Sequence, residues 1–261
     1  EQFTWSYIPG SDLKSSLAYP NGLTASWTYG NRGELLQVRN AFPTNVVSQF
    51  DYTYDAAGRR IACTKSGSAF ATPDTYDYLY NARSELTNAT AAVDSAYRYG
   101  YQFDDIGNRE TSSERGTNSV YTANSLNQYT AVDDFVPQFD DDGNQMLVKT
   151  LTGVWSVTYD AENRPFTWSN GTTNIVMAYD RLCRRISKNG IRFVYKGFLQ
   201  VGNSNGCGII WDPTESGLTR PLMFVNDDGV FYYTHDGNKN VSEVIAPDGE
   251  ICSHYVYSPF G

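Results

Sequence analysis

The feature that most constrains this chain is a phrase that it repeats. YTYDAAGRR at Tyr52–Arg60 returns as YGYQFDDIGNR at Tyr99–Arg109 and again as VTYDAENR at Val157–Arg164. Aligned on the acidic position, the anchors are Gly30, Asp55, Asn81, Asp104, Asn124, Asp140, Asp160 and Asp180, spaced 25, 26, 23, 20, 16, 20 and 20 residues apart. A period near twenty is too short for a domain but fits one supersecondary unit, so the fold is built by stacking such units.

Before each anchor, aromatic residues alternate with small or polar ones: Tyr52 and Tyr54, Tyr78 and Tyr80, Tyr101 and Phe103, with Tyr159 and Tyr179 just ahead of their anchors. Period two is the pattern of a strand with one aromatic face. An anchor Asp or Asn accepts from the backbone N–H two residues on, and a glycine three residues on supplies positive φ at little cost. Asp55 with Gly58, Asp104 with Gly107, and Asp140 with Gly143 follow this rule. Asn163 takes the glycine position after Asp160, Cys183 takes it after Asp180, and Ser84 and Asn127 take it elsewhere, while Gly30 replaces an anchor.

Each unit therefore reads as a β-hairpin. A lone hairpin is marginal in water, so neighbours must pair edge to edge, each aromatic cross-strand pair contributing about 0.2–1 kcal/mol. Eight units and a tail amount to roughly 18 strands, a strip about 85 Å long at ~4.8 Å per strand. The expected fold is all-β: tandem hairpins in one long antiparallel sheet. Sheets beyond about ten strands curl, split or close because of their twist. Residues 1–196 make the strip. Residues 197–261 continue it with looser spacing through Gly202, Gly206, Gly208 and Gly217, and the whole is expected to be one continuous structural domain.

Composition agrees, with 20 Tyr, 13 Phe and 5 Trp interrupted by 22 Gly and 10 Pro. A net charge of −9 without a basic run argues against a nucleic-acid partner. No apolar run approaches the roughly 20 residues of a membrane span, and the chain opens with neither Met nor a signal peptide, as expected of a soluble piece of a longer protein. Cys63, Cys183, Cys207 and Cys252 lack the paired spacing of a zinc site, and their disulfide state and connectivity stay open.

These repeats resemble the YD repeats of the RHS and YD-repeat proteins, which include bacterial polymorphic toxins and the teneurin shell. The most specific stretch is FYYTHDGNKNV at Phe231–Val241, followed by Ala246-Pro247-Asp248-Gly249 and YVYSPFG at Tyr255–Gly261. The resemblance implies a strip curled or spiralled into part of a hollow shell around a C-terminal toxin or effector, and a secreted or cell-surface setting. Its partners would be other parts of the same polypeptide, with self-association through open sheet edges a further expectation. The self-cleaving core of toxin-bearing members would begin after Gly261, so no catalytic residue is carried over. No enzyme activity and no cofactor are expected.

Other candidate sites fit the repeat better than chemistry. FDDDGN at Phe139–Asn144 has three carboxylates beside a glycine but lacks the spacing of a calcium loop. His235 and His254, with Asp236 and Ser253 or Ser258 nearby in sequence, lack a motif for nucleophilic catalysis. The rival reading is a carbohydrate-binding surface, because exposed Tyr and Trp faces stack on sugars.

Overall fold

The structure, a computed structural model, describes residues 2–215 and 220–260; Gly217 and Gly261 lie outside the described residues. It contains strands β1 (Thr4–Tyr7), β2 (Lys14–Ala18), β3 (Thr24–Tyr29), β4 (Leu35–Phe42), β5 (Asn45–Tyr54), β6 (Arg60–Ser66), β7 (Asp74–Tyr80), β8 (Leu86–Ala91), β9 (Arg98–Phe103), β10 (Arg109–Glu114), β11 (Thr117–Ala123) and β12 (Tyr129–Val132). The second half contains β13 (Leu147–Thr150), β14 (Gly153–Tyr159), β15 (Pro165–Ser169), β16 (Asn174–Tyr179), β17 (Arg185–Lys188), β18 (Ile191–Lys196), β19 (Leu199–Asn203), β20 (Gly208–Trp211), β21 (Pro221–Asn226), β22 (Gly229–His235), β23 (Val241–Ile245) and β24 (Ile251–His254). Among the described residues there is no helix.

Among the described residues the strands form two open sheets of 12, β1–β12 and β13–β24, and within each sheet every strand pairs antiparallel with its sequence neighbours. The strip is all-β as expected, but it splits once. The interruption falls where the anchors Asn124 and Asp140 come closest together, 16 residues apart, and where Pro137 cannot donate to a ladder. Isolated bridges, Val132 with Phe135 and Phe139 with Gln145, carry the chain across. The strand count exceeds the sequence expectation of about 18 because residues after 196 form regular hairpins, β19 to β24.

The strip turns back on itself. Leu17, Trp27, Val38, Val47, Phe50, Tyr52 and Cys63 of the first sheet or its loops share one buried cluster with Leu222, Tyr232 and Ile245 from β21–β23. Further along, the ring of Phe260 packs on Tyr101 of β9 at 4.9 Å. The end of the chain thus covers the aromatic face of its beginning. Fully burying a Leu, Val or Phe side chain contributes about 1.5–3 kcal/mol, so this layer contact is a large part of what holds the fold.

Candidate functional site

The repeated phrase is a connecting device. In each anchor turn the N–H three residues on donates to the anchor carbonyl, 3.0 Å from Gly58 to Asp55 and 3.0 Å from Cys183 to Asp180. The anchor carboxylate then takes the N–H groups at the second and fourth positions: Asp104 Oδ1 accepts from Ile106 (3.0 Å) and Asn108 (2.8 Å), and Asp180 Oδ1 from Leu182 (2.9 Å) and Arg184 (3.1 Å). Its second oxygen takes the side chain four residues on, Arg59 Nε at 2.7 Å from Asp55, Asn144 Nδ2 at 3.0 Å from Asp140 and Arg164 Nε at 2.8 Å from Asp160. Those side chains are the largest cause holding all five anchor carboxyls below the usual aspartate range.

The third position is left-handed throughout. φ is +81° at Gly58, +92° at Gly107 and +83° at Gly143, and also positive at Ser84, Asn127, Asn163 (+58°) and Cys183 (+59°). Where Gly30 supplies no carboxylate, Glu34 folds back instead and accepts from the N–H of Arg32 at 2.9 Å.

At four of the anchors the tyrosine just before the turn reaches backward. A register shift occurs at Tyr54, Tyr80, Tyr159 and Tyr179, marking a bulge that disrupts the ladder locally. The tyrosine of the following unit hydrogen-bonds a carbonyl beside the preceding turn: Tyr54 to Leu35 (2.7 Å), Tyr80 to Arg60 (2.8 Å), Tyr159 to Gln145 (2.9 Å) and Tyr179 to Pro165 (2.9 Å). The arginine after the turn reaches forward. Arg59 lies 5.0 Å from the Tyr80 ring and donates to the Asn81 carbonyl; Arg164 lies 5.0 Å from the Tyr179 ring and donates to the Asp180 carbonyl. Where asparagine replaces that arginine it meets the next turn directly, Asn144 Nδ2 to Asn163 Oδ1 at 2.9 Å. Period-two reasoning placed these tyrosines on one face but missed the hydroxyl bonds, whose only sequence sign is Tyr rather than Phe immediately before the anchor.

The remaining aromatic positions meet the covering layer. Tyr52 is buried and its hydroxyl accepts from the N–H of Gly237 at 2.8 Å. A Cβ on Gly237 would come within 2.6 Å of that ring, so only glycine allows the approach. Tyr101 packs between Phe103 and Phe260, and Tyr78 packs against both buried clusters. Asp236, which the spacing had not marked as an anchor, makes the same turn bonds to Asn238 N (2.8 Å), Asn240 N (2.9 Å) and Asn240 Nδ2 (3.0 Å). Asn203 and Ala246 also begin turns of this form, with Gly206 and Gly249 at the left-handed position.

Two polar clusters bind the layers. In one, Lys14 of β2 sits 2.8 Å from Asp212 and 2.7 Å from Glu215, with Arg220 3.6 Å from Glu215 and Lys239 paired to the same carboxylate. Burial pushes the Glu215 carboxyl up, but hydrogen bonds from Lys14 and Lys239 and the charge of Arg220 outweigh it and hold it at about 2. In the other, the fully buried Glu243 accepts from Ser48 (2.8 Å), Ser242 (2.8 Å) and Thr234, and faces His254 Nδ1 at 3.1 Å. Asn40 of β4 donates to the carbonyl of His235 at 3.1 Å. His235 is itself buried, and burial first, then the charge of Arg220, pushes its imidazole down to about 3. The two histidines thus serve separate positions in the seam. All four cysteines are free thiols.

No protein-family model matches the chain, and no curated protein matches it in sequence. Its fold is that of solved toxin-complex structures. The crystal structure of TcdB2-TccC3-Cdc42 matches with a TM-score of 0.75 at 16% identity, covering 99% of this chain and 16% of that one. TcdB2-TccC3 matches with a TM-score of 0.74 at 15% identity over the same shares, and TcdB2-TccC3 without its hypervariable C-terminal region with 0.61 at 12%. The chain therefore has the all-β YD-repeat shell fold over nearly its whole length and spans about one sixth of the chains that it resembles.

Proposed function

We propose that this chain is a wall segment of a hollow YD-repeat shell that encloses or presents another part of a larger secreted or cell-surface polypeptide, with the effector following it in sequence. The observation that carries this reading is the winding of a hairpin strip whose last strands cover the aromatic face of its first ones. In this reading residues 1–196 and 197–261 are one structural domain. The turn positions Asp55, Gly58, Asp104, Gly107, Asp140, Gly143, Asp160, Asn163, Asp180 and Cys183 and the tyrosine rows serve the wall, and the chain is not an enzyme. Support comes from the geometry of the anchor turns, whose side chains are spent on neighbours: Asp55 on its own turn, Tyr80 on the preceding unit and Arg59 on the following one.

The test is limited proteolysis of the full parent protein, read by mass spectrometry beside electron microscopy of the same sample. The expected result is a hollow particle in which the polypeptide downstream of this segment resists protease until the shell is opened by denaturant. Digestion of that polypeptide at the rate of the free domain would overturn the proposal.

A further inference from the structure

Between the tyrosine face of the first sheet and the end of the chain lies a cavity of about 410 Å³ whose lining includes Arg60, Lys65, Tyr76, Tyr78, Tyr99 and Tyr257. Among the described residues no Asp or Glu lines it, although the chain as a whole carries a net charge of −9. The Lys65 ammonium sits 3.8 Å from the centroid of the Tyr76 ring, and among the described residues it has no carboxylate within ion-pair distance. Arg60 is stacked 3.9 Å from the Tyr52 ring, and its Nη1 donates to the neutral Asn238 Oδ1 at 2.6 Å. Asp74 and Asp236 act on Lys65 only from beyond ion-pair distance, so the two cations, partly withdrawn from water with no carboxylate in contact, are costly, and an anion entering between them would relieve that cost. Burial already holds the Lys65 ammonium below its usual range.

The rest of the wall specifies what carries the anion. The hydroxyls of Tyr76, Tyr78 and Tyr99 have no hydrogen-bond partner among the described residues, and burial raises all three phenols, so they stay protonated and able to donate. Their rings add flat apolar faces of the kind that stack on sugar rings. The volume lies in the range of small-molecule sites.

We propose that this cavity binds a hydroxylated, ring-shaped carboxylic acid, the chemistry of a uronic acid unit. The carboxylate lies between Lys65 and Arg60, the ring lies on the tyrosine faces, and the ring hydroxyls accept from the phenols. This site is independent of the shell reading and stands or falls separately from it.

The test is titration calorimetry of the whole chain with D-glucuronate, D-glucose and acetate, with circular dichroism as the control for folding. Glucuronate is expected to bind saturably at millimolar concentration or below, with glucose and acetate each weaker by about tenfold or more. Lys65→Gln should weaken glucuronate by a similar factor and leave the spectrum unchanged. Should that variant lose its fold, Tyr99→Phe, which removes a single hydroxyl, should still weaken glucuronate severalfold. Absence of saturation, glucose or acetate binding as well as glucuronate, or full affinity in a folded variant would overturn the assignment.

Discussion

Tyr159 donates its hydroxyl to the Gln145 carbonyl at 2.9 Å, so phenylalanine there would keep the ring and lose one bond to the preceding unit. Leaving that carbonyl unpaired should cost about 0.5–1.5 kcal/mol, read as a lower urea midpoint for Tyr159→Phe; an unchanged midpoint would mean the hydroxyl bond adds nothing to the ring. The turn positions separate backbone strain from packing. Gly58 has φ of +81° and nothing within 4 Å of where a Cβ would sit, so Gly58→Val tests conformation alone and should cost about 1–2 kcal/mol. Cys183, exposed and unbridged, already bears that conformation at φ +59°. Cys183→Gly should relieve about 1 kcal/mol of strain and add about 0.5–1 kcal/mol of unfolded-chain entropy, for a net change near zero in the same melts.

Strand pairs and their seam respond to pH through two groups of the same sign. His235, at the end of β22, is held neutral with its imidazole pushed down to about 3, against 6.5 in an unfolded chain. A depressed histidine contributes stability that is complete above 6.5 and is lost as the pH falls from there toward 3. Glu215, held at about 2 against 4.5, contributes stability that is complete above 4.5 and is lost toward 2. Acidification should therefore lower the urea midpoint in two limbs, the first starting below neutrality. His235→Leu should flatten only the first limb. Equal midpoints for the parent chain at about pH 7.5 and about pH 5 would show that His235 does not oppose protonation in the fold.

For the whole molecule the decisive contact is between layers. Removing residues 212–260 would uncover Leu17, Trp27, Val38, Phe50 and Tyr52, which share their cluster with Leu222, Tyr232 and Ile245. At about 1.5–3 kcal/mol for each large apolar side chain, the loss rivals the ~5–15 kcal/mol total stability of a typical domain. The truncated chain should bind a hydrophobic dye, sediment as aggregates and lose its cooperative melt. A monomer with the parent melting temperature would show that the first sheet stands without its cover.

What was legible in the sequence was local. The alternation of Tyr52 and Tyr54, and the pairing of Asp55 with Gly58, specify a strand and a turn because the bonds involved span four residues or fewer. Repetition of such units then determines an antiparallel, all-β strip. The tail units at Asp236 and Ala246 escaped because their spacing departs from twenty, although their turn bonds do not, and Asn203 escaped although its spacing fits. Only the tertiary structure decided where the strip splits and what it winds onto. The contacts that close it, Asn40 to His235 and Ser48 to Glu243, each join residues 195 apart. Their meeting depends on twist and bulge angles accumulated over many strands, a sum that no single window of the sequence records.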